Sequence, residues 1–132
     1  MDTTTDRLLV DLDEAECYRL AATEPVGRLV WTGPDGPAVV PVNFTLEAGA
    51  VHVRTAAYSA LARECNDSRV AFEVDAYDAD SRIGWSVVMA GRASVDFVRP
   101  GVPVPEAWPV GSKAVWLTVE VDKVTGRRLR QR

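Results

Sequence analysis

The sequence predicts a mainly β fold, a six-stranded antiparallel barrel with small flanking helices, and three observations carry that prediction. Short runs of apolar residues alternate with polar ones at a period of two, most clearly over Ala114–Val121. Tight-turn clusters such as Gly33-Pro34-Asp35-Gly36 and Glu47-Ala48-Gly49 punctuate these runs at nearly even spacing. Only two stretches carry helix signals, and neither alternates with strands as a parallel α/β sheet would require. Closing such a sheet on itself also removes its exposed edges.

Residues 1–7 are polar and read as a flexible end, as do residues 130–132. Asp13-Glu14-Ala15-Glu16 has the spacing of a capping box, with Asp13 as N-cap and Glu16 reaching back from the third helical position. The first helix should run from Glu14 to about Ala22 with Cys17, Leu20 and Ala21 facing inward, and Pro25 and Gly27 stop it. Strands follow over Arg28–Thr32, Ala38–Leu46 and Ala50–Thr55. A short helix, Ala60–Cys65, interrupts the meander with Ser59 at its start. Strands resume over Arg69–Val74 and Gly84–Phe97, separated by an acidic loop, Asp75–Ser81. Gly91 marks a bulge or bend in the longer of the two. A proline-rich crossing, Arg99–Gly111, leads to the last strand, in which Val115, Leu117, Val119 and Val121 share one face and Trp116, Thr118 and Glu120 the other.

At 132 residues, with 47% hydrophobic and 26% charged residues, the chain is sized and composed as one soluble domain with one core. A net charge of −4 argues against general nucleic-acid binding, although Lys123, Arg127, Arg128, Arg130 and Arg132 crowd the C-terminus. They read either as a solvated tail or as a segment from which Arg127 or Arg128 folds back toward an anionic ligand. Cys17 and Cys65 lack metal-ligand spacing and read as buried thiols in a reducing cytoplasm. One histidine, His52, leaves little material for a metal centre or a hydrolase triad, so no metal site is expected. No apolar run approaches membrane-spanning length.

The residues with most chemical promise cluster after the third strand. Arg54 and Thr55 end that strand, and Ser59 starts the helix behind it. A forked cation, two hydroxyls and unpaired helix-start N–H groups suit a phosphate; a surface ion pair is the plainer reading of Arg54. Pro41-Val42-Asn43 places a proline inside a strand, which belongs at an edge or bulge and leaves backbone groups free for a flat ring, with Asn43 offering donor and acceptor together. The same segment equally describes an ordinary edge strand. Trp85 and Ser86 open the fifth strand and read either as packing or as the cover and polar edge of an aromatic ligand. Trp31, Trp108 and Trp116 read as core or dimer contacts. Glu73 and Asp75 share a strand face and read as solvated acids. No paired carboxylates or nucleophile elbow point to hydrolysis, so any catalysis is expected to come from a cofactor.

Taken together, Glu16-Cys17, Val26-Gly27-Arg28-Leu29, Pro41-Val42-Asn43, Val53-Arg54-Thr55, Phe72-Glu73-Val74-Asp75, Gly84-Trp85-Ser86-Val87 with Gly91-Arg92-Ala93, and Thr125-Gly126-Arg127-Arg128 form a pattern. From about Leu12 to Leu129 the chain resembles the pyridoxamine 5'-phosphate oxidase-like, FMN-binding split-barrel proteins, in particular their short actinobacterial and nitroimidazole-resistance-like branch. The resemblance implies a six-stranded split barrel that forms a homodimer, with the flavin in the groove between protomers. It implies Arg54, Thr55 and Ser59 on the FMN phosphate, Val42 and Asn43 along the ring, and Trp85 and Ser86 near the ring or ribityl chain. Many members carry a lysine after the helix-start serine; here Ala60 stands there, and Arg63 one turn on is the expected substitute. The chain lacks the C-terminal substrate segment of true pyridoxamine phosphate oxidases. The function expected is therefore a cytoplasmic, dimeric FMN oxidoreductase acting on a small aromatic or nitro compound. Use of a deazaflavin, its acidic tail drawn by the cationic stretch Arg127 to Arg132, and a non-catalytic flavin- or nucleotide-binding dimer are the alternatives.

Overall fold

The computed structural model describes residues 7–98 and 101–132, so the expectations for residues 1–6 and for Arg99 and Pro100 lie outside the described residues. Eight strands and two helices follow one another: β1 (Arg7–Asp11), α1 (Glu14–Ala21), β2 (Val26–Gly33), β3 (Gly36–Asn43), β4 (Thr45–Glu47), β5 (Ala50–Thr55), α2 (Ala60–Cys65), β6 (Ser68–Asp78), β7 (Ile83–Asp96) and β8 (Val115–Gln131). All pairings are antiparallel, in the order β3-β2-β6-β7-β8-β5-β4, with β1 added beside β8. The mainly β, antiparallel fold with small helices is as expected, and the described residues form eight strands rather than the six expected.

Both additions have local causes. The run expected over Ala38–Leu46 is two strands, because the chain changes partners at Phe44. β3 pairs with β2 up to Asn43, and β4 pairs with β5 from Thr45 onward. These are opposite ends of the sheet order, so one residue carries the chain from one edge of the sheet to the other. Phe44 is buried there, its ring edge-on to Phe72 at 4.9 Å between centroids. The second addition, β1, pairs residue by residue with Arg127–Gln131, which makes those residues the far half of a 17-residue β8 rather than a tail. Beyond Val119 the alternation is interrupted, because Asp122 is inserted between Val121, opposite Gly91, and Lys123, opposite Ala90. The bulge expected at Gly91 thus lies at that point of the ladder, with the extra residue on the partner strand.

Helix α1 has the predicted cap, with Asp13 Oδ1 accepting from the Glu16 N–H at 2.8 Å, and it buries Cys17, Leu20 and Ala21. Helix α2 is capped by Ser59 and buries Leu61, Ala62 and Cys65. The core between strands and helices is built on Phe72, Leu29, Met89, Leu117, Val51, Val53, Val74 and Val87, all inaccessible to solvent. On the other face of β5 and β8, His52, Trp116 and Thr118 are also buried. The proline-rich segment lies over that side. Val102 shares a cavity wall with His52 and Thr118, and Pro103 accepts a hydrogen bond from Thr45 Oγ1 at 3.0 Å. Trp31 and Trp116 are buried as expected, whereas Trp108 is 62% exposed.

The close approach at the bulge makes a sharp test. A Cβ on Gly91 would sit 1.9 Å from the Glu120 carbonyl oxygen, a backbone atom that cannot swing away. Gly91→Ala is expected to cost about 1–3 kcal/mol of stability, the range for an overpacked interior. Urea unfolding measures this, and a midpoint equal to wild type would refute the tight packing at this point.

Candidate functional site

Because β3 and β5 are not hydrogen-bonded to each other, the barrel has a seam, and the seam is where a cleft opens. The cleft has a volume of about 460 Å³, within the ~300–1,000 Å³ usual for small-molecule sites. Val40, Pro41, Val42 and Asn43 form one wall, Arg54 and Thr55 the other, and Trp108, Pro105, Pro109 and Lys113 line it from the proline-rich side. Pro37 and Pro41 belong to β3 and lack the N–H that would let the sheet extend across this edge. The lining is mostly apolar and contains two cations and no carboxylate.

Arg54 is the centre of its chemistry. The guanidinium lies over the Trp116 ring, 4.8 Å from its centroid, and Nη2 donates to the Lys113 carbonyl. Its Nε is buried without a hydrogen-bond partner among the described residues. No carboxylate among the described residues pairs with it, which sets aside the surface ion pair as an account of Arg54. A buried guanidinium N–H left without an acceptor is costly, and it belongs to a side chain that lines the cleft. Stacking on Trp116 holds the planar cation in one orientation.

The hydroxyl pair is arranged differently from the sequence expectation. Thr55 Oγ1 donates to Ser59 Oγ at 2.9 Å, and the same Ser59 oxygen accepts the Ala62 N–H at 3.2 Å as the cap of α2. Thr55 lines the cleft; Ser59 stands behind it. Arg63, the expected substitute cation, is exposed, with Nε donating to the Tyr58 carbonyl at 3.1 Å, and it is not part of the cleft lining. Lys113 is in the lining instead. Sequence reasoning missed it because it is isolated in the crossing. The available signal was its position two residues before Val115, which pairs with Thr55. Asn43 lines the cleft, yet both ends of its amide are bound within the protein. Oδ1 accepts the Trp108 N–H at 2.9 Å and Nδ2 donates to the Pro25 carbonyl at 3.1 Å.

Trp85, Ser86 and Arg127 lie elsewhere, in a second cleft of about 430 Å³ that also includes Leu9, Tyr77, Arg82 and Leu129. Arg128 is its neighbour on the opposite face of β8, directly across from Trp85 in the ladder and 4.0 Å from Glu16 Oε1. Within one chain, therefore, Pro41, Val42, Asn43, Arg54 and Thr55 are brought together, while the ladder pairs Ser86–Arg127 and Trp85–Arg128 lie apart from them, on opposite faces of the sheet.

On the outer face of the sheet, with Asp75 in the lining of the second cleft, Glu73 and Asp75 of β6 share Arg28 of β2, at 3.7 and 3.6 Å. They are half-buried rather than solvated acids. Burial pushes the Glu73 carboxyl up to about 7, reinforced by the hydrogen bond and negative charge of Asp75 and opposed by Arg28. The folded chain thus holds a proton on Glu73 that the unfolded chain releases near its ordinary value of 4.5. The stabilisation is full below that value and is lost as pH rises through about 7. Glu73→Gln, which stays neutral throughout, is expected to be more stable than wild type by about 1 kcal/mol above that window, the size left after solvent screening, and to converge with it in acid. Urea titrations at both ends of the range measure the difference, and a pH-independent difference would contradict the shared-proton arrangement.

Comparison with known proteins places this geometry. Residues 13–96 match the family model described as pyridoxamine 5'-phosphate oxidase. An uncharacterized protein of Mycobacterium tuberculosis is 41% identical over an alignment of 93 residues that covers 67% of this chain; the chain spans 61% of that protein's length. Among solved structures, an FAD binding protein from Mycobacterium smegmatis superposes with a TM-score of 0.75 at 29% identity, covering 93% of this chain and 100% of that one. A putative pyridoxamine 5'-phosphate oxidase from Corynebacterium glutamicum superposes with a TM-score of 0.71 at 26% identity, covering 94% and 95%. With the family model spanning well over half of its length, and with the same split-barrel architecture, the chain belongs to the pyridoxamine 5'-phosphate oxidase family.

Proposed function

We propose that this protein binds a flavin nucleotide in the seam between β3 and β5 and works as a flavin-dependent oxidoreductase. The observation that carries the reading is the cleft itself: apolar along most of its length, with Arg54 and Lys113 at hand, one buried Arg54 N–H lacking an acceptor, and no acid in the lining. That is the chemistry of a flat aromatic ring with an anionic tail. Arg54 and Lys113 neutralise the phosphate, and Thr55 adds a hydroxyl at the same end. Val40, Pro41 and Val42 exclude water along the ring. The bound flavin supplies hydride chemistry. The substrate class is a small aromatic or nitro compound able to lie against an open ring face.

The homodimer belongs to the same reading. Trp85, Ser86, Arg127 and Arg128 are apart from the seam within one chain, and a partner copy is the means of adding them to a shared groove. Among the described residues no helix is long and apolar enough to cross a membrane. Two buried free thiols accord with a reducing cytoplasm. FMN is the leading ligand. FAD is the second reading, favoured by the Mycobacterium smegmatis neighbour described as FAD-binding. A deazaflavin, with its acidic tail, is the third.

The test is reconstitution of the purified chain with FMN, FAD and a deazaflavin in parallel, followed by titration of flavin fluorescence. Arg54→Ala is expected to raise the dissociation constant tenfold to a hundredfold, since a charge-assisted contact to phosphate contributes about 1.5–3 kcal/mol. A mutant that binds as tightly as wild type would sink the assignment of Arg54 to the phosphate.

A further inference from the structure

Asn43 has the residue type and the place of a group that reads the edge of a ring, yet each end of its amide is already tied to the backbone, with one N–H and one lone pair left over. Its oxygen accepts the backbone N–H of Trp108 and its nitrogen donates to the carbonyl of Pro25. It therefore joins the start of β2, the end of β3 and the proline-rich segment at one point. A second tie, from Thr45 Oγ1 to the Pro103 carbonyl, holds the same segment two residues further along the chain from Asn43.

The segment so held is stiff by composition. Pro103, Pro105 and Pro109 each fix a backbone angle, and the proline after Trp108 keeps Trp108 itself extended. Pro105 is buried against the barrel. Between these fixed points Trp108 lines the cleft while 62% exposed, and its indole N–H has no hydrogen bond among the described residues. The backbone of Trp108 is thus secured and its ring is not. A large apolar ring kept at the mouth of an apolar cleft, and fixed through its main chain, is arranged to lie against something flat.

Resting on the flavin reading above, we infer that Trp108 is the aromatic wall against which the ligand ring stacks, and that Asn43 is a positioning residue that sets this wall rather than a group that reads the ring. Discrimination at this side of the site is then by flatness and polarisability. Any planar, electron-poor ring of suitable width is accepted, and an aliphatic ligand of equal volume is not.

Two kinds of measurement test this. The first needs no ligand. Trp31 and Trp116 are buried and Trp85 is half-buried, so acrylamide quenching of tryptophan emission is weighted toward Trp108, and Trp108→Phe separates its component from that of Trp85. Asn43→Ala is expected to increase the accessibility of that component, and Thr45→Val to do the same to a smaller extent. The second uses FMN. Electron-rich indole in stacking contact quenches flavin emission, so FMN bound to wild type should be dim. Trp108→Phe should restore emission with a loss of affinity below about fivefold, whereas Trp108→Ala should weaken binding about tenfold or more, the size of a stacked-ring contact. Asn43→Ala should brighten bound FMN at saturation, and Thr45→Val provides the same reading if that variant does not fold. Bound FMN equally bright in wild type and Trp108→Phe would overturn the stacking. Unchanged tryptophan accessibility in both Asn43→Ala and Thr45→Val would overturn the positioning role. Failure of wild type to take up FMN or FAD would remove the flavin reading and the stacking with it, while the ligand-free arm would still decide the role of Asn43.

Discussion

The structure depends on one event, the change of strand partners at Phe44. Before it the chain pairs with β2; after it the chain pairs with β5; and these two partners stand at opposite ends of the sheet. Burying Phe44 against Phe72 draws those ends together without hydrogen bonds between them. The sheet curls far enough to enclose a core yet stays open along one seam. A fully closed barrel of this size would be filled by its own side chains. An open sheet would expose a sticky edge. The seam lies between these outcomes, and Pro37 and Pro41 keep it from closing by denying the edge its donors.

Everything that can bind an anionic aromatic ligand follows from that seam. Arg54 reaches it because β5 is the strand on the far side, and its orientation follows from β8, which places Trp116 beneath the guanidinium. The register that seals the core through Val53 and Leu117 also sets the cation at the cleft, since Arg54 and Trp116 are the next pair along. Core packing and site geometry are therefore not independent: a slip of one residue in this ladder would invert both.

The sequence made some of this legible and hid the rest for physical reasons. The caps at Asp13 and Ser59 were readable because a capping side chain and its target lie within three residues of each other. The fold class was readable because alternation and turns are local. The break at Phe44 was not, since Thr45-Leu46-Glu47 continues the same period as the strand before it and only the partner changes. The far half of β8 was hidden by its composition: arginines on a half-exposed strand resemble a solvated tail until β1 is known to pair with them. Glu73 and Asp75 looked like solvated acids because nothing nearby in sequence announces that Arg28 stands across the ladder. In the site, Arg54 and Pro41 were identified from residue type and position alone. Lys113 and Trp108 were not, as they reach the cleft only through a crossing whose path is set by contacts with β3 and β4.

Residue type also proved a poorer guide to role than bonding state. Arg54 and Asn43 were both singled out for the donors they carry, and both line the cleft. One retains a buried N–H with no acceptor among the described residues, and the other has each end of its amide tied to the backbone. Arg54 carries a positive charge in the cleft lining that no carboxylate among the described residues neutralises, which favours an anionic ligand there. An amide tied to the backbone at both ends is held in place, and its first effect is through what it holds. The two residues therefore divide the site between them, one supplying attraction to the anionic end and the other supplying the shape of the wall at the aromatic end.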